Sequence, residues 1–420
     1  MIPFDVTTSV RPSGLRGKMG RRLQMLFPDL DRRAYARARK ADVRTRHKAG
    51  LNAVSKKRYP ATFSRRKVYD SDREAHVVVV PAEGTGSGTW DVAAGNFYFE
   101  VAGNLESHIG SDRVSVLHVD PEESSSTWHR ELFDHLMDAK ATHLISHVEH
   151  DPGSSNQTWT WDSFWNDLSP RWNGVFLGST FDASYRFTSA KARFLARISP
   201  RFMAIDVGLP IAGTLRKRRY EVGPVNRPMS PATLQAIRQR LTGVVPTVDV
   251  AFVGALYPYR VELIKQLEAL GISIAVNPHK DNHHARGDSE GGGQPRWLDY
   301  LAGLRSGKLT INFSRSSAGP VEQLKWRAIE SGLAGTYFLT DDQHRTRLFW
   351  PDDQFSTFST LEDLSLVLEQ ALSDQRSLLE STAAFSDRAY LLAQNHYWGA
   401  VEDGLRKRGL PGVGVTPFAI

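Results

Sequence analysis

The sequence predicts an α/β protein of two Rossmann-like domains facing a cleft, preceded by a basic helical extension. Three observations carry this. Apolar runs of strand length alternate with helix-length segments, the alternation halts at a Pro/Gly-rich seam and then restarts, and positive charge is concentrated in the first 69 residues. At 420 residues the chain also exceeds the size at which one hydrophobic core keeps growing. The boundaries drawn are an extension over 1–69, a first Rossmann-like domain over 70–230, a second over 231–395, and a C-terminal helix over 396–420 that returns toward the first domain.

The extension holds 19 Lys and Arg against four Asp (Asp5, Asp29, Asp31, Asp42), a net +15, so the whole-chain +7 leaves −8 for the other 351 residues. Its run DLDRRAYARARKADVRTRHKAG is made of good helix formers, but its apolar face is limited to Tyr35, Ala36 and Val43. It reads as a solvated helix, or as a contact for an anionic membrane surface or an acidic partner. A basic arm alone does not distinguish one polyanion from another, but the −8 body, with no aromatic-basic stripe, disfavours nucleic acid. The chain has no cysteine, which excludes disulfides, zinc-thiolate sites and a cysteine nucleophile. No stretch approaches a bilayer-spanning apolar run and the N-terminus lacks a secretory pattern, so the expected location is cytoplasmic, with peripheral membrane contact through the arm as a variant.

The body opens on AHVVVV (75–80), a continuous apolar run of the kind buried on both faces of a parallel sheet. PAEGTGSG (81–88) follows, then a helical stretch near 91–107. Strands are expected at VSVLHV (114–119), ATHLISHV (141–148), GVFLGST (174–180) and FMAIDV (202–207), with helices such as STWHRELFDHLMDA (126–139) between them. The seam, 208–247, carries Pro210, Gly223, Pro224, Pro228, Pro231 and Pro246, and a short helix that starts at a Ser230 N-cap with Pro231 in its first position. The second series runs strand VDVAFVG (248–254), helix YRVELIKQLEALG (259–271), strand ISIAVN, the polar loop PHKDNHHARGDSEGGGQP, helix RWLDYLAGLRSG, strand KLTINF, helix VEQLKWRAIESG and strand TYFLTD. One or two helices over 385–409 finish the chain.

Candidate site residues collect where strands end. FVGALYPYR puts Gly254 at a strand end, then Tyr257, then Arg260 at the start of a helix; a small residue there admits a ligand to the backbone, and the helix N-terminus with Arg260 favours phosphate. In NFSRSSAGPVEQLKWRAIE a Ser/Gly loop, with Ser316 and Ser317, opens a helix on which Gln323, Arg327 and Glu330 share a face opposite Val321, Leu324 and Ala328. A carboxylate there can accept from two ribose hydroxyls while Arg327 or Lys325 opposes diphosphate charge; an ordinary Arg327–Glu330 surface pair is the alternative. In the first domain Glu149, His150 and Asp151 stand after a strand and could orient or deprotonate an acceptor hydroxyl, or simply form a polar turn. The loop of Gly84, Gly86 and Gly88 follows the first strand as a candidate sugar or acceptor loop. His279, His283 and His284 lack the carboxylate spacing of a metal site, and no metal is expected.

The run FVGALYPYR, LTINF, EQLKWRAIESG and FWPDDQFSTFSTLEDL resembles the donor domain of retaining-type GT-B glycosyltransferases, closest to the CgeB-like, spore-maturation branch with its Q-L-K-x-R-x-x-E helix. Glu322 and Glu330 also keep the Glu-x7-Glu spacing of such domains, and Trp326 stands where the branch often has a small residue. The resemblance spans roughly 248–400. It implies a GT-B fold and transfer of a sugar from a nucleotide-sugar donor to a protein, glycan or lipid-linked acceptor, with retention; Arg260, Arg327, Lys325 and helix N-termini would neutralise the leaving diphosphate, so no metal or other cofactor is expected. It also implies that Glu330, Arg327 and Lys325 contact the nucleotide ribose and phosphates. ATHLISHVEHDPGSS is similar to the acidic strand-end element that the family aims into its cleft. The rival expectations are an inactive GT-B-like scaffold that binds a polymer or partner through its arm, and a nucleic-acid-binding protein.

Overall fold

The computed structural model describes residues 74–81, 97–117, 128–148, 160–180, 186–206, 219–253, 258–276, 296–314, 324–342 and 344–418. The basic extension, and so its expected helix, lies outside these residues. Two parallel sheets organise the rest. The first has six strands, β1 (Val77–Val80), β2 (Val114–Val116), β3 (His143–His147), β4 (Val175–Thr180), β5 (Phe202–Asp206) and β6 (Glu221–Val222), in the spatial order β2-β1-β3-β4-β5-β6. The second has five, β7 (Val248–Phe252), β8 (Ile274–Val276), β9 (Gly307–Asn312), β10 (Tyr337–Thr340) and β11 (Ser356–Thr357), in the order β11-β10-β9-β7-β8. Every pairing among these strands is parallel. Among the described residues no strand pairs across the two sheets, so the molecule contains two Rossmann-like halves, as the restart of the pattern implies.

Each sheet is covered on both faces, which is why its strands are apolar at successive positions. Val77–Val80 are wholly buried, but alternate residues serve different cores: Val77 and Val79 pack with α1 (Phe97–Ile109), while Val78 and Val80 pack with α2 (Trp128–Asp138) and α3 (Thr160–Leu168). α4 (Arg186–Ile198) adds Ala192 and Leu195 to that second core. In the second sheet, α5 (Pro231–Leu241), α7 (Arg296–Arg305) and α8 (Arg327–Ala334) cover one face, and α6 (Pro258–Ala269) and α9 (Leu361–Ser373) the other. Ser230 caps α5 as expected, accepting from the Thr233 N–H.

The final helix, α10 (Gln375–Lys407), joins the halves. Its Phe385, Ala389, Leu392 and Ala393 belong to the core of the second sheet, and its Tyr397, Trp398, Val401 and Leu405 to that of the first. The segment between the sheets grips α10 where it crosses over. The Met229 N–H donates to the Ala393 carbonyl at 3.0 Å, and the Asn104 side chain on α1 donates to both the Met229 and Gln394 carbonyls at 2.9 Å.

Three expectations are corrected. The helix drawn from residue 321 starts at Arg327: Leu324 and Lys325 are not helical, and Trp326 is the N-cap. Leu324 is buried in the core in a non-helical segment, so its apolar position is satisfied without a helix. The terminal helix does not begin at 396 but at Gln375, capped by Asp374, and it stops at Lys407. A left-handed Gly409, then Pro411 and a left-handed Gly414, keep 408–418 out of helix. The seam also contributes a strand, β6, which extends the first sheet.

Candidate functional site

In an open parallel sheet, ligands bind outside the carboxyl ends of the strands, where the strand order reverses. In the second sheet that point lies between β7 and β9, since β8 is placed to one side of β7 and β10 to the other side of β9. The chain leaving β7 carries Gly254, Tyr257 and Arg260, and the chain leaving β9 carries Ser316, Ser317, Gln323, Lys325, Arg327 and Glu330. In the first sheet the reversal lies between β1 and β3. The chain leaving β1 carries Gly84, Gly86 and Gly88, and the chain leaving β3 carries Glu149, His150 and Asp151. Every candidate picked from the sequence therefore follows a strand that flanks a switch point.

Gly84, Gly86, Gly88, Glu149, His150, Asp151, Gly254, Tyr257, Ser316, Ser317 and Gln323 lie outside the described residues, as do His279, His283 and His284. Arg260, Lys325, Arg327 and Glu330 are described. Arg260, in the first turn of α6, places its guanidinium 5.1 Å from the ring centroid of Phe313, just beyond the end of β9. It thus bridges the two sides of the switch point. Ser314, next along, is wholly buried; its N–H donates to Asp341 at 2.6 Å and its hydroxyl has no partner among the described residues.

Glu330 occupies the first turn of α8 and is buried, with only 3% of the residue accessible. The Tyr300 hydroxyl on α7 donates to Glu330 Oε2 at 2.6 Å. Arg227 Nη1 lies 3.5 Å from Oε1, and Arg327 Nε lies 4.0 Å from Oε2. Arg327 and Glu330 are therefore paired at i,i+3, with Glu330 buried and Arg327 largely so, unlike the surface pair considered from sequence. Burial pushes the Tyr300 phenol well above its ordinary range, with the two arginines acting in the opposite sense. Burial also lowers the Arg227 guanidinium, against the stabilising fields of Glu330 and then Glu100.

Two arginines thus share one carboxylate. The Arg327 guanidinium sits 5.2 Å from the Tyr300 ring centroid, and its Nη1 is buried with no hydrogen-bond partner among the described residues. An arginine donor left without an acceptor inside a protein is costly, so a site of this kind is chemically suited to an anion. Lys325 and the N–H groups at the α8 amino terminus lie in the same stretch of chain.

Arg227, Tyr300, Trp297 and Phe97 are not singled out by the sequence. Arg227 is fully buried between two indoles, 4.9 Å from the Trp297 centroid and 4.6 Å from that of Trp326. Trp326 in turn stacks on Phe97 at 5.3 Å and 13°. Phe97 opens α1, which follows β1, and Trp326 caps α8, which follows β9; this stack therefore joins the chain leaving the switch point of one sheet to that leaving the other. The only advance signal is an arginine bracketed by prolines in the seam, PVNRP. Among the described residues no group of three or more His, Asp or Glu could hold a metal ion, and no helix is long and apolar enough to cross a membrane.

No family model matches the chain, and no curated protein sequence matches it. Solved structures do resemble it. A Listeria monocytogenes protein provisionally named a UDP-N-acetylglucosamine 2-epimerase matches at 9% identity and a TM-score of 0.42, covering 82% of this chain and 100% of that one. Anabaena HepE in complex with UDP and glucose matches at 12% and 0.43, covering 76% and 98%. Sucrose-phosphate synthase from Thermosynechococcus elongatus matches at 11% and 0.42, covering 80% and 99%. These are loose likenesses, and the architecture described here rests on the strand order and registers of the chain itself.

Proposed function

We propose that the chain is a GT-B-type glycosyltransferase that moves a sugar from a nucleotide-sugar donor to a protein, glycan or lipid-linked acceptor. The observation that carries this reading is the buried Nη1 of Arg327, which has no hydrogen-bond partner among the described residues and lies in the first turn of the helix that follows a switch-point strand. A nucleoside diphosphate leaving group needs cationic donors fixed where its charge develops, in a site that excludes water. Arg327, Lys325, Arg260 and the α8 amino terminus supply them without a metal. Glu330, in the same turn of α8, is the carboxylate proposed to accept from the ribose hydroxyls.

In the reaction the bond from the anomeric carbon to the diphosphate oxygen breaks and a bond to the acceptor oxygen forms. The acceptor proton passes to a base on the opposite side of the cleft, for which Glu149, His150 and Asp151 are the candidates, following β3 in the first sheet. Retention at the anomeric carbon is part of the same reading, from the family resemblance, and requires the acceptor oxygen to enter on the face from which the diphosphate departs.

A thermal-shift and calorimetric panel of UDP-, GDP-, TDP- and CMP-sugars tests the reading, since a ligand that binds the native state raises its stability. One nucleotide class should bind and be turned over. Arg327→Ala should weaken that nucleoside diphosphate by at least about tenfold and the bare nucleoside far less, because its contribution is charge. Binding without turnover or hydrolysis would make the chain an inactive scaffold. Equal loss for nucleoside and diphosphate would remove Arg327 from the phosphate site.

A further inference from the structure

Charge at the proposed donor site is contested from within. Glu330 is a carboxylate within ion-pair distance of Arg327, and an arginine neutralised by its own neighbour has little left to offer an anion. Arg227 changes that balance. It reaches Glu330 from the other side, and with the Tyr300 hydroxyl it supplies the carboxylate with two partners that are not Arg327.

Its setting is unusual for a simple ion pair. A charge-assisted N–H···O bond is ordinarily about 2.7–2.9 Å, whereas Arg227 stands at 3.5 Å, and its Nε has no partner among the described residues. Its close contacts are the faces of Trp297 and Trp326. A planar guanidinium can stack between two indoles and still project a fixed charge, which an ammonium does not do. The backbone around it is held by other parts of the molecule: the Asn226 N–H donates to His396 Nδ1 on α10 at 3.1 Å, and the Ser230 N–H to Glu100 on α1 at 2.7 Å. Arg227 is therefore presented to the second sheet's site by a segment that the first sheet and the connecting helix hold in place.

We propose that Arg227 is a positioning residue: by neutralising Glu330 from the inter-sheet segment, it leaves the Arg327 guanidinium for the diphosphate of the donor, so that donor capture requires the two halves to be docked. This rests on the nucleotide-sugar reading and deepens it. Without Arg227, Glu330 loses one of its cations and holds Arg327 more strongly, so that more of the Arg327 charge is spent inside the protein.

The test is a set of linked substitutions, read by calorimetric titration of the full chain with UDP, GDP, TDP and CMP and the corresponding nucleosides. Arg227→Met should weaken the preferred nucleotide by at least about tenfold while changing the nucleoside much less. Arg327→Ala added to Arg227→Met should cost nothing further, since Arg227 acts through Arg327. Glu330→Gln added to Arg227→Met should restore most of the diphosphate preference, because the neutral amide no longer captures Arg327. Arg227→Lys, which keeps the charge but not the stack, runs the same cycle with a smaller first loss and serves if the methionine variant fails to fold. Additive effects of Arg227 and Arg327, or no recovery with Glu330→Gln, overturn this inference while leaving the nucleotide-sugar reading intact. Failure of the unaltered protein to bind any of the nucleotides overturns both.

Discussion

At the scale of single residues, two buried histidines make the molecule sensitive to acid. His396 Nδ1 accepts the Asn226 N–H beside Arg227, and His143 Nε2 donates to the Pro411 carbonyl of the C-terminal tail at 2.9 Å. Burial lowers both to about 4, with the Arg388 charge adding to the effect at His396. An unfolded histidine titrates near 6.5. Between that value and 4 the unfolded chain takes up protons that the native chain refuses, so stability present above pH 6.5 drains away as the pH falls. Each histidine should contribute a loss of about 2 kcal/mol between pH 7 and pH 5. Urea midpoints at the two pH values check this, and His143→Gln should shrink the difference between them by about 2 kcal/mol; an undiminished drop would put the acid sensitivity elsewhere. Legibility is uneven at this scale. Arg327 and Glu330 can be found because helical spacing and a family pattern mark them. Arg227 cannot, because an arginine in a Pro-rich segment has no periodicity, and its partners come from 70 to 103 residues away in sequence. Tyr300 is hidden too, as an aromatic on a buried helix face, where a phenol hydroxyl looks like core.

Among the elements, strands are the most legible, because a continuous apolar run of four to six residues in an alternating pattern fits little besides a sheet buried on both faces. β6 escapes, being two residues long and lying in a segment that looks like linker. The helix before Glu330 comes out too long for a different reason. Its apolar positions fit a helical face, but Leu324 reaches the core from a non-helical segment, and pattern alone does not separate the two. At its other end α8 stops at the left-handed Gly335, and along its length it packs tightly on α10. Its Gly332 faces α10 so closely that an added Cβ would stand 2.3 Å from the Ala389 Cβ and 3.3 Å from the Phe385 carbonyl oxygen. Gly332→Ala should therefore destabilise the protein by about 1–3 kcal/mol, despite the roughly 1 kcal/mol by which alanine is the better helix former. Ala389→Gly in the same chain should recover part of the loss. Denaturant unfolding of the single and double variants measures it, and a stabilised Gly332→Ala would mean that α8 and α10 have room to move apart.

For the whole molecule, the sequence announces two repeated αβ blocks but not how they are held together. The candidate residues follow, in sequence, strands that flank the switch points of both sheets, and that coincidence is topological: strand order cannot be read from one sequence, whereas strand ends can. The basic extension is the part whose role is least tied to the rest. With a net +15 over residues 1–69, it should act as a separable electrostatic element. Deleting it should leave nucleotide binding unchanged and reduce association with anionic vesicles, an association that salt should also screen. Co-sedimentation with vesicles and nucleotide titration of the same preparation decide the matter; lost nucleotide affinity would make the extension part of the catalytic body. The helix α10 has a wider consequence. Over 33 residues, about 50 Å at 1.5 Å per residue, it supplies one wall to each of two cores. The chain is thus not two exchangeable modules in series. A gene cut at the seam would yield a first fragment with an open apolar scar where Tyr397, Trp398, Val401 and Leu405 belong, and a second fragment whose helix runs on into water. Recombination between relatives would have to carry the first half and the tail together, as a pair split in sequence but single in space.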